Sequence, residues 1–287
     1  MTNAKKNEVA VVEKFSLVTG LEAMDEDTKA ELADEIGDLD DDGGIEAKHI
    51  KIPSGGGKAY EVETDNPDDP DVMKEVEGVI IFTHKMNAYW AHAFGEGDAD
   101  GNQNRMPDCS SMDGKQGIFR ESGEVRDCAS CPYNQFGSAG RGKACKNMRR
   151  LYIMMSGKPD IYLLTVPPTS IRDVNKTLRK IMMTKHIPYS RMVMKFGLAG
   201  AESGDGIKYS RVTIDTAGML PEPLWTATQK IREELKNSYE NVAITTADYE
   251  APEEAPKAAP QAAAPKTDVD GFMSIPDGVK GEELPFE

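Results

Sequence analysis

The stretch LYIMMSGKPDIYLLTVPPTSI, residues 151–171, reads as two strands, a tight turn and the entry to a helix. Leu151–Met155 and Ile161–Val166 are apolar runs of strand length, and SGKPD between them carries turn chemistry, so the pair predicts a hairpin. Pro167 and Pro168 end the second strand, because proline has no N–H for a ladder. Thr169 or Ser170 can then cap a helix from Ile171 to about Met183. Upstream, VIIFTHKMNAYW (79–90) is a buried strand, and IEAKHIKI, SGGGK and AYEVE form a strand, a turn and a strand from Ile45. Downstream come strands at Arg191–Leu198 and Lys208–Thr216, then a helix from Pro221 to about Tyr239 with Leu224, Ile231 and Leu235 near one face. A helix between the third and fourth main strands suits a five-stranded Greek-key barrel of the OB type. The expected class is therefore mainly β with flanking helices (α+β), an OB-like barrel carrying a long insertion at about 95–150.

Three regions follow. Residues 1–43 are an acidic N-terminal segment with a short helix at Met24–Ile36; 44–247 form the OB-like domain; 248–287 are an Ala/Pro linker, APEEAPKAAPQAAAP, and an acidic tip. The start MTNAKKNEVAVVEKF lacks the apolar core of a secretory signal, and no apolar run is long enough to span a bilayer. Four cysteines in 287 residues do not make a disulfide scaffold. A membrane protein, a secreted mini-protein and a fibre are excluded.

The net charge is −15, which taken alone argues against a nucleic-acid partner. Its distribution reverses that argument. Between Arg141 and Lys195 there are thirteen basic residues and two acids, Asp160 and Asp173. Glu22–Glu46 holds twelve acids and one base, and Asp248–Glu287 ten acids and three bases. A basic middle can meet phosphates, and acidic ends can compete for the same surface. Aromatics interleave with the bases, as single-strand binding requires. The candidate phosphate contacts are Arg141, Lys143, Lys146, Arg149 and Arg150; the candidate stacking rings are Tyr133, Tyr152, Tyr89 and Trp90, with a core position the competing reading for Trp90.

Cys109, Cys128, Cys131 and Cys145 give C-x18-C-x2-C-x13-C in a glycine-rich segment. Zinc takes four tetrahedral N/S ligands, and a C-x2-C knuckle supplies two from one turn. One structural Zn²⁺ is expected, with His84, His92 and Asp108 as substitutes for a missing thiolate. Four thiolates leave no open position for catalysis. Asp38, Asp40, Asp42 and Gly43 resemble an EF-hand loop, but His49 stands where the bidentate Glu belongs. Ser54–Lys58 lacks the first Gly and the Ser/Thr of a phosphate loop. No constellation for an enzyme is present.

The tip GEELPFE resembles the C-terminal tail of bacterial single-stranded DNA-binding proteins, in which acidic residues precede Leu or Ile, Pro and Phe. Glu282, Glu283, Leu284, Pro285 and Phe286 match; Glu287 departs, because that family ends on Phe. IKIPSGGGKAYEV, GVIIFTHKMNAYW, PDCSSMDGKQG, CASCPYNQFGSAGRGKACKN and LTVPPTSI resemble proteins of tailed phages. By layout, the chain is similar to phage single-stranded DNA-binding proteins that combine an OB fold, an inserted zinc site and an acidic tail. The resemblance implies single-stranded DNA binding with little sequence preference during phage replication or recombination, in the host bacterial cytoplasm. It also implies a tail that docks replication or recombination proteins and competes with DNA. A zinc-containing adaptor or DNA mimic that binds a host or phage protein is the alternative.

Overall fold

In a computed structural model of the chain, the described residues are 10–12, 14–16, 27–28, 31, 34–35, 47–91, 106–204 and 206–249. Of the expected N-terminal helix, Asp27, Thr28, Glu31, Asp34 and Glu35 are helical. The rest of that helix, His92, and the Ala/Pro linker with its tip lie outside the described residues.

Eleven strands form one mixed sheet: β1 (Ala47–Lys51), β2 (Tyr60–Val62), β3 (Asp71–Met73), β4 (Glu75–Tyr89), β5 (Cys109–Ser111), β6 (Gln116–Phe119), β7 (Val125–Asp127), β8 (Lys146–Met155), β9 (Ile161–Val166), β10 (Met192–Glu202) and β11 (Lys208–Met219). Helix α1 covers Pro168–Lys185 and α2 covers Glu222–Ser238. The spatial order runs β3-β2-β1-β9-β8-β4. There the sheet divides. Residues 75–79 of β4 pair with β10, which leads to β11, whereas Asn87–Tyr89 pair with β5, which leads to β6 and β7. The single parallel ladder among these joins β1 to β9.

The central strands β8 and β9 are buried on both faces. On β8, Leu151, Ile153 and Met155 enter one core and Tyr152 and Met154 the other; on β9, Leu164 and Val166 oppose Leu163. Val174 and Leu178 of α1 close the first core, and Leu235 of α2 closes the second. Burial on both sides explains why these strands read as continuous apolar runs rather than alternating ones.

The closed five-stranded barrel is not found. The sheet is open: among the described residues no ladder joins β11 to β1, β2 or β3. Where β11 approaches the β1–β2 turn, Ser210 Oγ lies 2.8 Å from Pro53 O and 2.9 Å from Gly57 O, so a side chain replaces the ladder. Pro53 has no N–H to offer, and Gly55 and Gly56 turn the chain with φ of 70° and 82°. Helix α1 also starts earlier than expected. Pro168 takes the first helical position and Pro167 the cap, without a side-chain bond. Ser170 is wholly buried, and its Oγ accepts from Val212 N at 3.0 Å. Among the described residues no helix is long and apolar enough to cross a membrane.

Candidate functional site

A cleft of about 670 Å³ opens where five segments meet. They are the β1–β2 turn (Lys51–Gly55), the loop before β8 (Phe136 and Gly142–Lys146), the start of α1 (Pro167–Arg172), the start of β11 (Lys208–Ser210), and Ala247–Tyr249. Its lining carries five cations, Lys51, Lys143, Lys146, Arg172 and Lys208, and one acid, Asp248. That acid is spent inside the fold. Arg150 and Asp248 are fully buried and pair at 2.6 Å, and Thr165 Oγ1 donates to the other carboxylate oxygen at 2.6 Å. Lys146 is desolvated: burial holds its ammonium below the usual range, its Nζ donates to Lys143 O at 3.2 Å, and it sits 5.7 Å from the Tyr249 ring centroid. Lys143 Nζ reaches Asn134 Oδ1 and Asn147 Oδ1, each at 3.2 Å, and lies 5.1 Å from the Phe136 ring. Phe136 is 82% exposed. The first turn of α1 contains no acid and no side-chain cap, so the helix dipole adds positive potential to the same cleft, although Pro167 and Pro168 offer no N–H and Ser170 N donates to Pro167 O at 2.9 Å.

Strands β5, β6 and β7 form an arm on the end of β4. The four cysteines line one small cavity in this arm, and no disulfide joins them. The arm is shaped around the sulfurs. A Cβ on Gly117 would stand 2.9 Å from Cys109 Sγ and 3.6 Å from Cys128 Sγ. Side-chain amides hold the knuckle: Asn134 Nδ2 donates to Cys128 O at 2.6 Å, and Gln135 Nε2 to Cys131 O at 3.2 Å. Burial, with the neighbouring thiols, pushes Cys109 up to about 11 and Cys145 up to about 12. Among the described residues no three His, Cys, Asp or Glu side chains stand at metal-holding spacing. Cys145 lines both this cavity and the cleft, so the cysteine core backs the cleft wall.

The expected contact residues are dispersed. Lys143 and Lys146 line the cleft, and Arg141 is exposed beside it. Arg149 is half-buried and donates to Thr83 Oγ1 at 3.3 Å. Arg150 and Tyr152 are corrected: both are wholly buried, because β8 begins at Lys146 and its alternation turns each inward. Tyr89 and Tyr133 stack on each other at 4.3 Å and line the cysteine cavity rather than the cleft. Trp90 stacks on Tyr249 at 6.4 Å. Of the substitute zinc ligands, His84 belongs to an aromatic cluster: its Nδ1 is 2.7 Å from Met112 O and its Nε2 3.3 Å from the Tyr152 hydroxyl, and burial lowers its pKa. Asp108 accepts from Ala91 N at 2.6 Å. The sequence reading missed Lys51, Arg172, Lys208, Phe136, Tyr209 and Tyr249 as cleft residues. They come from five separate segments, and nothing local in the chain links them. The tip residues Glu282 to Phe286 lie outside the described residues. The chain matches no protein-family profile, no curated protein and no solved structure.

Proposed function

We propose that the chain binds single-stranded DNA in this cleft with little sequence preference, as a phage replication or recombination protein working in the host bacterial cytoplasm. The observation that carries the reading is the cleft's charge: five cations, of which Lys51 also pairs with Glu63 at 3.2 Å, against one lining carboxylate that is neutralised from within the fold. Phosphates would lie along Lys51, Lys143, Lys146 and Lys208 and meet the first turn of α1. Lys146, whose charged form burial already disfavours, would be stabilised by an anion beside it. Phe136 and Tyr209 are the rings available to unstacked bases, a role that duplex DNA cannot fill. The OB-like part of the reading rests on this groove between loops of an open sheet, not on barrel closure.

The four cysteines are the proposed ligands of one structural Zn²⁺. Four sulfur donors, a glycine where a Cβ would crowd two of them, and amide-held knuckle carbonyls suit a closed site. The ion would supply rigidity to the arm and no catalysis. Its proposed effect on binding is indirect, through Cys145 and the cleft wall behind Lys143 and Lys146. The tip from Glu282 to Phe286 is proposed to dock a replication or recombination partner.

The test is affinity against salt for an unstructured oligonucleotide and for a duplex. Single-strand binding should weaken with a slope of about 0.7 per phosphate contacted, and Phe136→Ala should cost roughly 1–3 kcal/mol. Lys143→Ala with Lys146→Ala should lower both affinity and slope. Equal affinity for duplex, or no binding at low salt, would sink the reading.

A further inference from the structure

Helix α1 has two faces that differ in kind. Ser170, Val174 and Leu178 are buried, and Ile171 and Ile181 pack on the same core. On the other side Arg172, Lys176, Arg179 and Lys180 are all exposed. Their spacing of i, i+4, i+7 and i+8 places them in one stripe about 12 Å long. Among the described residues none of the four makes an ion pair. Asp173, the acid of this helix, lies 3.7 Å from Arg211 on β11 instead. Like charges at i, i+4 repel, so Arg172 with Lys176 and Lys176 with Lys180 weaken the helix they sit on. Mixed signs would serve helix stability better; a stripe of one sign suits an anionic ligand.

The stripe is joined to the cleft. Arg172 lines the cleft and also lines a shallow depression on the helix surface with Lys176, Arg179, Lys180 and Met183, where Asp173 is the one acid and is turned to Arg211. Met183, 70% exposed, stands at the far end. We propose that the stripe is a second stretch of the single-strand path: the strand leaves the cleft at the start of α1, and its phosphates follow the stripe toward Met183. This rests on the reading of the cleft as a single-strand site. The helix side chains meet phosphates and no base edges, so the stripe adds reach and salt dependence without sequence preference.

The full chain and the triple variant Lys176→Ala, Arg179→Ala, Lys180→Ala are compared on oligothymidylates of roughly 4 to 16 nucleotides at several salt concentrations. All three positions are exposed and alanine favours helix, so matching thermal melts should establish that the variant is folded. The expected result is unchanged affinity for the shortest strands that bind. For the longest, affinity should fall about tenfold at low salt, with the salt slope smaller by about 2, from three lost contacts. A variant that tracks the natural chain at every length overturns the stripe and leaves the cleft reading standing. Equal loss at every length also overturns it, because the stripe would then not be an extension. Loss of binding to polyglutamate with oligonucleotide binding intact overturns it in favour of an acidic protein segment. If the natural chain binds no oligonucleotide, both readings fall together.

Discussion

Arg150 shows how far one residue's surroundings depend on strand register. It sits beside Arg149 in a run that looks uniformly basic, yet the strand sends the two to opposite faces. Arg150 Nη1 donates to Val242 O and Nη2 to Ala243 O, each at 2.9 Å, and Nη2 also meets Asp248 at 2.6 Å. Removing the carboxylate leaves a buried cation unpaired. Asp248→Asn should therefore destabilise the fold by about 3–5 kcal/mol. In a thermal melt that is a fall of roughly 10 °C for a folded part of this size. Adding Arg150→Met should recover much of it, since a hydrophobic replacement of both partners is often neutral. An unchanged melt for Asp248→Asn would show that the pair contributes nothing. The alternation was readable in principle, but KNMRR lacks the apolar run that marks a strand, so the start of β8 was placed at Leu151, five residues late. Asp248 was hidden for another reason. It stands next to an Ala/Pro segment and takes that segment's character, although its carboxylate closes a capping box with Thr245.

At the scale of elements, the arm has the weakest means of support. Its strands β5, β6 and β7 are three, four and three residues long, too short to hold together without help. If zinc supplies that help, elemental analysis should find about one ion per chain, and chelation should remove amide protection from 106–145 while the β8–β9 ladder stays protected. Gly117→Ala should weaken zinc retention in a chelator competition, because the new methyl would crowd Cys109 and Cys128. The raised thiols fix the direction with pH. Each sulfur must lose a proton to bind, so zinc affinity should fall as pH falls and protons compete. A chain that binds no zinc, or one whose arm stays protected in chelator, would end this account. That the four cysteines gather was legible because four in a short span form a pattern in themselves. The arm's strands were not, since three residues are too few to show a period. The longer elements were legible: the β8–β9 hairpin, the β10–β11 pair and α2 fall where their apolar patterns put them.

For the whole molecule the decisive quantity is where charge of each sign is tethered. The described residues end at Tyr249, and Ala247, Asp248 and Tyr249 line the cleft. Residues 250–287, rich in acids, follow directly in the chain. The proposed competition between these acids and DNA would gain from their being on the same chain, which makes a competitor effectively concentrated. Truncation after Tyr249 should tighten single-strand binding about tenfold at low salt, with the gain fading as the screening length shrinks from about 30 Å at 0.01 M to about 8 Å at 0.15 M. Equal or weaker affinity across salt would remove the competition. The cut must spare Asp248: one made after Ala247 takes away the carboxylate that holds Arg150, so it would read stability instead of competition. One further consequence comes from β4. It pairs with β8 from Gly78 to Ala88, and β8 begins at the cleft residue Lys146, so the strand that enters one wall of the cleft is held along its length by the centre of the sheet. If the cleft binds a single strand as proposed, a wall held in this way has little ordering entropy left to lose, and the complex should form fast, limited by encounter and steered by charge.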